Sequence, residues 1–193
     1  MPDEPTERAD AARNRRAILD AAARLLAERG AEHVSIEQIA AAAGVGKGTV
    51  FHRFGSRAGL LRALVWERAD SLRNAVAAGP PPLGPGAPAA NRIRAYFDAM
   101  TDLVIANAEL VAAYGAETDD PRTEEIHAFW FRHLATLFDE LRPDRDNELI
   151  GQLLLGTLGG QLALHLVRTG HGERLRNAVF DIVDAVLAQP AAR

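Results

Sequence analysis

Apolar residues recur along most of this chain at steps of three and four, the helical period, and no segment alternates long enough to suggest a strand. Ile18, Ala22, Leu25 and Leu26 form one stripe on a helix from Asp10 to Arg29, which Gly30 should end. Residues 1–9 carry no such stripe and read as a disordered tail. Ser35 followed by Gln38 forms a capping box, so a short helix should begin at Ile36 with Ile39, Ala40 and Ala43 on one face and stop at Gly44. A second short helix fits Lys47 to Arg53, with Val50 and Phe54 turned toward the first. A longer helix capped by Ser56 carries Leu60, Leu61, Leu64, Val65 and Leu72.

The stretch AAGPPPLGPGAPAA at 77–90 contains five prolines and three glycines, and it cannot continue a helix. It reads as a polyproline-like connector, with the loop proper at 78–90. Helical patterns then resume over 91–107, 108–115, 121–141, 145–169 and 172–188. The expectation is an all-α protein of about nine helices: a head at 10–56 and a larger helical body at 57–193.

Residues 34–54 carry the sharpest chemistry. Two short helices joined over Gly44 and Val45 describe a helix-turn-helix, and Gly44 supplies the positive φ that a steep crossing needs. Packing of Val50 and Phe54 inward leaves Lys47, Thr49, His52 and Arg53 outward, donor-bearing side chains of the kind that read acceptors in a major groove. Gly46 and Gly48 weaken the second helix by roughly 1 kcal/mol each relative to alanine, which suits a backbone that must approach DNA closely.

Charge sharpens the division. The whole chain carries −4, but from Arg8 to Arg57 nine Lys and Arg face five Asp and Glu, a net of +4, whereas the chain from Ala58 onward carries −5. One end is thus suited to phosphate and the other to staying in solution. Lys47 is the only lysine; that 21 of 22 basic residues are arginine, beside many alanines, points to a GC-rich coding sequence. With 193 residues and 48% hydrophobic content the chain should be globular. Without cysteine it has no disulfide framework and no thiolate metal site. Residues 1–13 lack an apolar signal core and no uninterrupted apolar run reaches a spanning length, so a cytoplasmic protein with no membrane partner is expected.

From Arg13 to Leu64 the sequence resembles the N-terminal domain of the tetracycline-repressor (TetR) family. The stretch ILDAAARLLAERGAEHVSIEQIAAAAGVGKGTVFHRFGSRAGLLRAL joins a leading amphipathic helix, the AGV turn, the GT pair and an aromatic-x-x-Phe ending. The resemblance implies that the GT-containing helix enters the major groove, with Gly46, Lys47, Gly48, Thr49, His52 and Arg53 at the DNA and Ser35 and Arg57 on phosphates. Three positions depart from the family pattern. Phe51 stands where a tyrosine is usual and cannot donate its hydroxyl to phosphate; Arg53 replaces a common histidine and Arg57 a common lysine. The two arginines are suited to restoring a phosphate contact through bidentate guanidinium geometry. Arg13, Arg15 and Arg16 near the start of the first helix are further candidates for the DNA backbone.

In the body, Leu149, Ile150, Leu153, Leu154, Leu158, Leu162 and Leu166 form a broad apolar surface. Gly156, Gly159 and Gly160 would admit a neighbouring helix, and Val179, Ile182, Val183 and Val186 add a second wall. One monomer covers only part of this, so a four-helix interface between two copies is expected, in line with the resemblance. Aromatic residues concentrate in the middle helices. A pocket formed around Phe97, Met100, Tyr114, Trp130, His133 and His165 should favour a mostly apolar small molecule fixed by a few polar groups. The expected function is a dimeric, effector-released repressor of a pseudo-palindromic operator, with no cofactor, no metal and no catalytic residue. A helical adaptor that binds only protein, or a small helical enzyme, remain as alternatives; the sequence has no HExxH, phosphate-binding glycine loop or nucleophile elbow.

Overall fold

The structure, a computed structural model, describes residues 4–30, 33–108 and 121–188, with side chains from residue 9 onward. Every regular element among them is helical: α1 Glu4–Arg29, α2 Ile36–Ala42, α3 Lys47–Phe54, α4 Arg57–Ala78, α5 Ala89–Ala106, α6 Pro121–Leu141, α7 Asn147–Gly159, α8 Gln161–Arg168 and α9 Gly172–Leu187. Two compact units meet within α4, the first ending at Trp66 and the second starting at Glu67.

In the first unit the helices pack through Ile18, Ala22 and Leu25 of α1, Ile36 and Ile39 of α2 and Val50 of α3, all buried. The unit extends past 56 because Leu60, Leu61 and Leu64, in the first turns of α4, are themselves buried. α1 starts at Glu4, inside the stretch expected to be a disordered tail. Pro5 is compatible with a first turn, where no N–H is needed for the ladder.

The second unit is a helical body in which α6 packs on α7 and α5, and α5 on α9. Its core holds Ile93, Tyr96, Phe97 and Val104 of α5, Trp130, Leu134, Leu137 and Phe138 of α6, Leu154 and Leu158 of α7, and Leu175, Val179 and Val183 of α9. Arg176 of α9 ties to α5 through Asp98 at 2.5 Å and through Asp102, and Arg94 reaches Asp184 at 2.7 Å. At the α6–α7 turn the buried Asn147 donates to Asp139 Oδ1 and to the Arg142 carbonyl, both at 2.7 Å.

Two connections differ from the sequence reading. The single helix expected over 145–169 is broken at Gly160, whose extended backbone caps α8. Adjacent glycines there gain nothing from a helix that no side chain supports. The proline-rich loop is folded rather than polyproline-like: the Gly84 N–H donates to the Pro80 carbonyl at 3.0 Å, and Gly84 is buried so close to the Gly79 carbonyl that a Cβ would collide with it. Asn147–Arg168 is long and apolar enough, at mean hydropathy 1.4, to meet a membrane-span criterion of length and composition, which a count of uninterrupted apolar runs misses. Gly160 divides that stretch into α7 and α8.

Candidate nucleic-acid interface

The turn between α2 and α3 is built from local hydrogen bonds. Ser35 Oγ accepts from the Gln38 N–H at 3.3 Å, and Gln38 Oε1 accepts from the Ser35 N–H at 2.8 Å, closing the expected capping box. At the other end of α2 the Val45 N–H donates to the Ala40 carbonyl at 3.0 Å and the Gly44 N–H to the Ala41 carbonyl at 3.2 Å. That is a Schellman closure, and Gly44 takes the left-handed conformation it needs, with φ of 69°. The chain therefore leaves α2 and enters α3 in one fixed direction.

α3 is capped by Gly46, which has no side chain to accept from the first N–H groups of the helix. Val50 is buried, while Lys47, Gly48, Phe51 and His52 are exposed and Thr49, Arg53 and Phe54 half-buried. A Cβ added at Gly48 would meet nothing within 4 Å, and one at Gly46 only Thr49 Oγ1 at 3.9 Å. Packing within the chain thus does not demand glycine at either place. Arg57 is exposed in the first turn of α4, and Ser56 Oγ caps that helix by accepting from the Gly59 N–H at 3.0 Å.

The electrostatics of this face are less simple than its residue list. Lys47 forms an ion pair with Glu37 of α2 and stands over the Phe51 ring, 5.6 Å from its centroid. The hydrogen bond from Lys47 comes first among the causes that lower the Glu37 carboxyl to about 2. On α1 the arginines are partly engaged: Arg13 pairs with Asp10, Arg16 with Asp20 at 3.6 Å, and the Arg15 guanidinium lies 5.0 Å from the Phe54 ring centroid. Glu37 is not among the residues expected from sequence, because it stands ten positions from Lys47 on another helix and no local spacing pairs the two.

The body residues named from sequence separate into groups. Leu153, Leu162 and Ile182 are exposed, by 65%, 72% and 45%, and Gly156 lies open beside them with Gly160 and Val186 half-buried. Val179 and Val183 do not share that surface; they are buried within the subunit, because their positions on α9 face its own core. Of the residues expected around a pocket, Phe97 and Trp130 are buried, Met100 and His133 half-buried and His165 exposed in the last turn of α8, while Tyr114 lies outside the described residues.

Tyr96 occupies the centre of the aromatic group, 5.5 Å from Trp130, 5.6 Å from Phe97 and 5.8 Å from His133 between ring centroids. The Tyr96 hydroxyl and His133 Nε2 are buried without a hydrogen-bond partner, and burial pushes the Tyr96 phenol well above its ordinary range. Burial, followed by the charge of Arg92, lowers His133 to about 4. The described grooves of the body, about 390, 310 and 380 Å³, are lined by other residues.

A capped helix, a Schellman turn and an exposed second helix rich in donors define the first unit as a helix-turn-helix head, the mark of a DNA-binding regulator rather than an enzyme. Residues 18–64 match the model of the bacterial regulatory proteins of the tetR family. The fold extends the likeness over most of the length. A structure described as a TetR-family transcriptional regulator from Rhodococcus sp. is 20% identical at a TM-score of 0.64, covering 92% of this chain and 100% of its own. The fatty acid degradation regulator FadR from Bacillus halodurans is 19% identical at 0.63, over 89% and 97%. A TetR transcriptional regulator from Streptomyces coelicolor is 25% identical at 0.55, over 92% and 99%. No curated protein matches the chain.

Proposed function

We propose that this regulator is a cytoplasmic homodimeric repressor that holds a pseudo-palindromic operator and is released by a small, mostly apolar effector. The observation that carries the DNA contact is the outward face of α3, where Lys47, Gly48 and His52 are exposed and Thr49 half-buried on a helix anchored by Val50. Gly46, Arg53, Ser35 and Arg57 complete the contact set, the last two on phosphates. A dimer is supported by Leu153, Leu162 and Ile182, large apolar side chains exposed on α7, α8 and α9, with Gly156 leaving room for a facing helix. Two heads then read successive major grooves when their α3 helices sit roughly 34 Å apart.

The effector site is best supported at Tyr96 and His133, where two unpartnered buried polar atoms lie among aromatic rings. An unsatisfied buried group costs roughly 1–3 kcal/mol, so a ligand that displaces a ring and supplies a partner recovers part of that cost. Phe97, Met100 and Trp130 would then form its apolar walls. Coupling of about 1–3 kcal/mol between the effector and the operator-binding spacing weakens DNA binding roughly 5- to 150-fold.

Selection of bound fragments from a random duplex pool tests the reading. Recovery of a two-fold repeat, with half-sites about one helical turn apart, supports it. A dimer that neutralises about six phosphates should lose roughly a thousandfold in affinity between 50 and 200 mM salt. Failure to retain any duplex at 50 mM would refute the DNA-binding role.

A further inference from the structure

The sole lysine of the head is held in place. Its ammonium is paired with Glu37 across the α2–α3 angle and lies against Phe51 on its own helix, while the two charged side chains stay 53% and 57% exposed. Glu37 is no part of the capping box, which Ser35 and Gln38 complete between themselves. It is also not buried: the fold does not need a carboxylate there beyond the modest benefit of acid in a helix's first turn. For a surface that meets phosphate, that carboxylate is a liability unless it contributes something at the bases.

Lysine alone is a compact charge on a flexible stem, with no preferred direction and a strong attraction to phosphate. A carboxylate pairing with it changes both properties. It keeps the ammonium from the negatively charged backbone, which repels the pair's acidic member, and it presents a donor and an acceptor side by side. In a major groove the ammonium matches guanine O6 and N7, and the carboxylate matches the N4 amino group of cytosine.

We propose that Glu37 is a specificity-determining residue that, with Lys47 leaning on Phe51, reads a guanine and a neighbouring cytosine in each half-site. This rests on the DNA-binding role above and adds to it a residue of α2 and a base preference.

The test uses the full chain, the operator recovered by wild type, the same operator with the guanine–cytosine positions replaced by A·T pairs in both halves, and a random duplex, all at one salt concentration. Glu37→Gln, which removes the charge at nearly constant shape, should tighten the random duplex several-fold and cut discrimination between the two operators about tenfold. Glu37→Asp keeps the charge but shortens the reach. It should lose discrimination by a similar factor while leaving random-duplex affinity within about twofold of wild type. Both variants should melt as wild type does, since the residue is exposed. If discrimination stays at the wild-type ratio in both variants while operator binding remains intact, Glu37 only sets local charge and the proposal falls alone. If wild type binds no duplex, it falls together with the DNA-binding role.

Discussion

Gly48→Ala separates the demands of folding from those of DNA binding. Gly48 is exposed in the first turn of α3, outside the left-handed region, and a Cβ there touches nothing within 4 Å. Alanine is favoured over glycine inside a helix by up to about 1 kcal/mol, and about half of that is expected so near a terminus. The free protein should therefore become more stable by ~0.5 kcal/mol, a rise in Tm of about 1–2 °C for a chain of this length. In the proposed complex the same methyl would stand where the backbone of α3 approaches the duplex, once in each head. A displacement costing ~0.7 kcal/mol per head weakens the operator complex about tenfold. Thermal melting by circular dichroism and anisotropy of a labelled operator read the two effects on one preparation. A higher Tm with unchanged operator affinity would refute the argument that glycine is kept at 48 for close approach to DNA.

Other outcomes follow from the same geometry. Lys47→Ala and Thr49→Ala should each weaken operator binding while leaving the molecular mass by light scattering unchanged; unaltered affinity in both would remove them from the interface. Phe51→Tyr restores a hydroxyl on the exposed ring, and a new hydrogen bond of about 0.5–1.5 kcal/mol should tighten operator and random duplex alike by roughly 2- to 10-fold, leaving the salt slope as it was. Leu153→Glu combined with Leu162→Glu changes two exposed positions, so the subunit should fold as before but sediment as a monomer; a persisting dimer would displace the interface from α7 and α8. His133 is lowered from 6.5 to about 4, so the folded state binds fewer protons than the unfolded state between those values. Stability should be fully present above pH 6.5 and decline toward pH 4. The face-value ~3 kcal/mol is reduced to about 1 kcal/mol by partial exposure of the ring, and His133→Gln should flatten that part of the pH curve in urea melts.

What the sequence could disclose was whatever depends on neighbours in the chain. The capping box at Ser35 and Gln38, the closure at Gly44 and the burial of Val50 are set by contacts within a few residues, and the structure has each of them. The outward side of α3 is only partly as expected: Lys47 and His52 are exposed, whereas Thr49 and Arg53 are half-buried. Across-helix pairing was beyond that reading: Glu37 and Lys47 are ten positions apart on different helices, and only the angle between α2 and α3 brings them together. The body was less legible for a different reason. α7 is apolar on nearly every side, so its period does not say which leucines face inward; packed on α6, α5 and α8, it buries Leu154 and Leu158 and leaves Leu153 outside.

The same ambiguity produced the error on α9. Val179 and Val183 lie about one turn apart, so a list of apolar residues treats Ile182 like them although it points about 60° away from Val179 and about 100° away from Val183. α9 packs on α5 and α8, and the two valines are buried within the subunit while Ile182 remains exposed. An interface between two copies can therefore use Ile182 but not its valine neighbours without unpacking the core. Substitution at Val183 should lower subunit stability by the several kcal/mol typical of a cavity or a buried charge, whereas a polar residue at Ile182 should act on association and leave the melt of the monomer nearly where it was. That difference in response, more than the hydrophobicity of either residue, is what assigns an apolar position to core or interface.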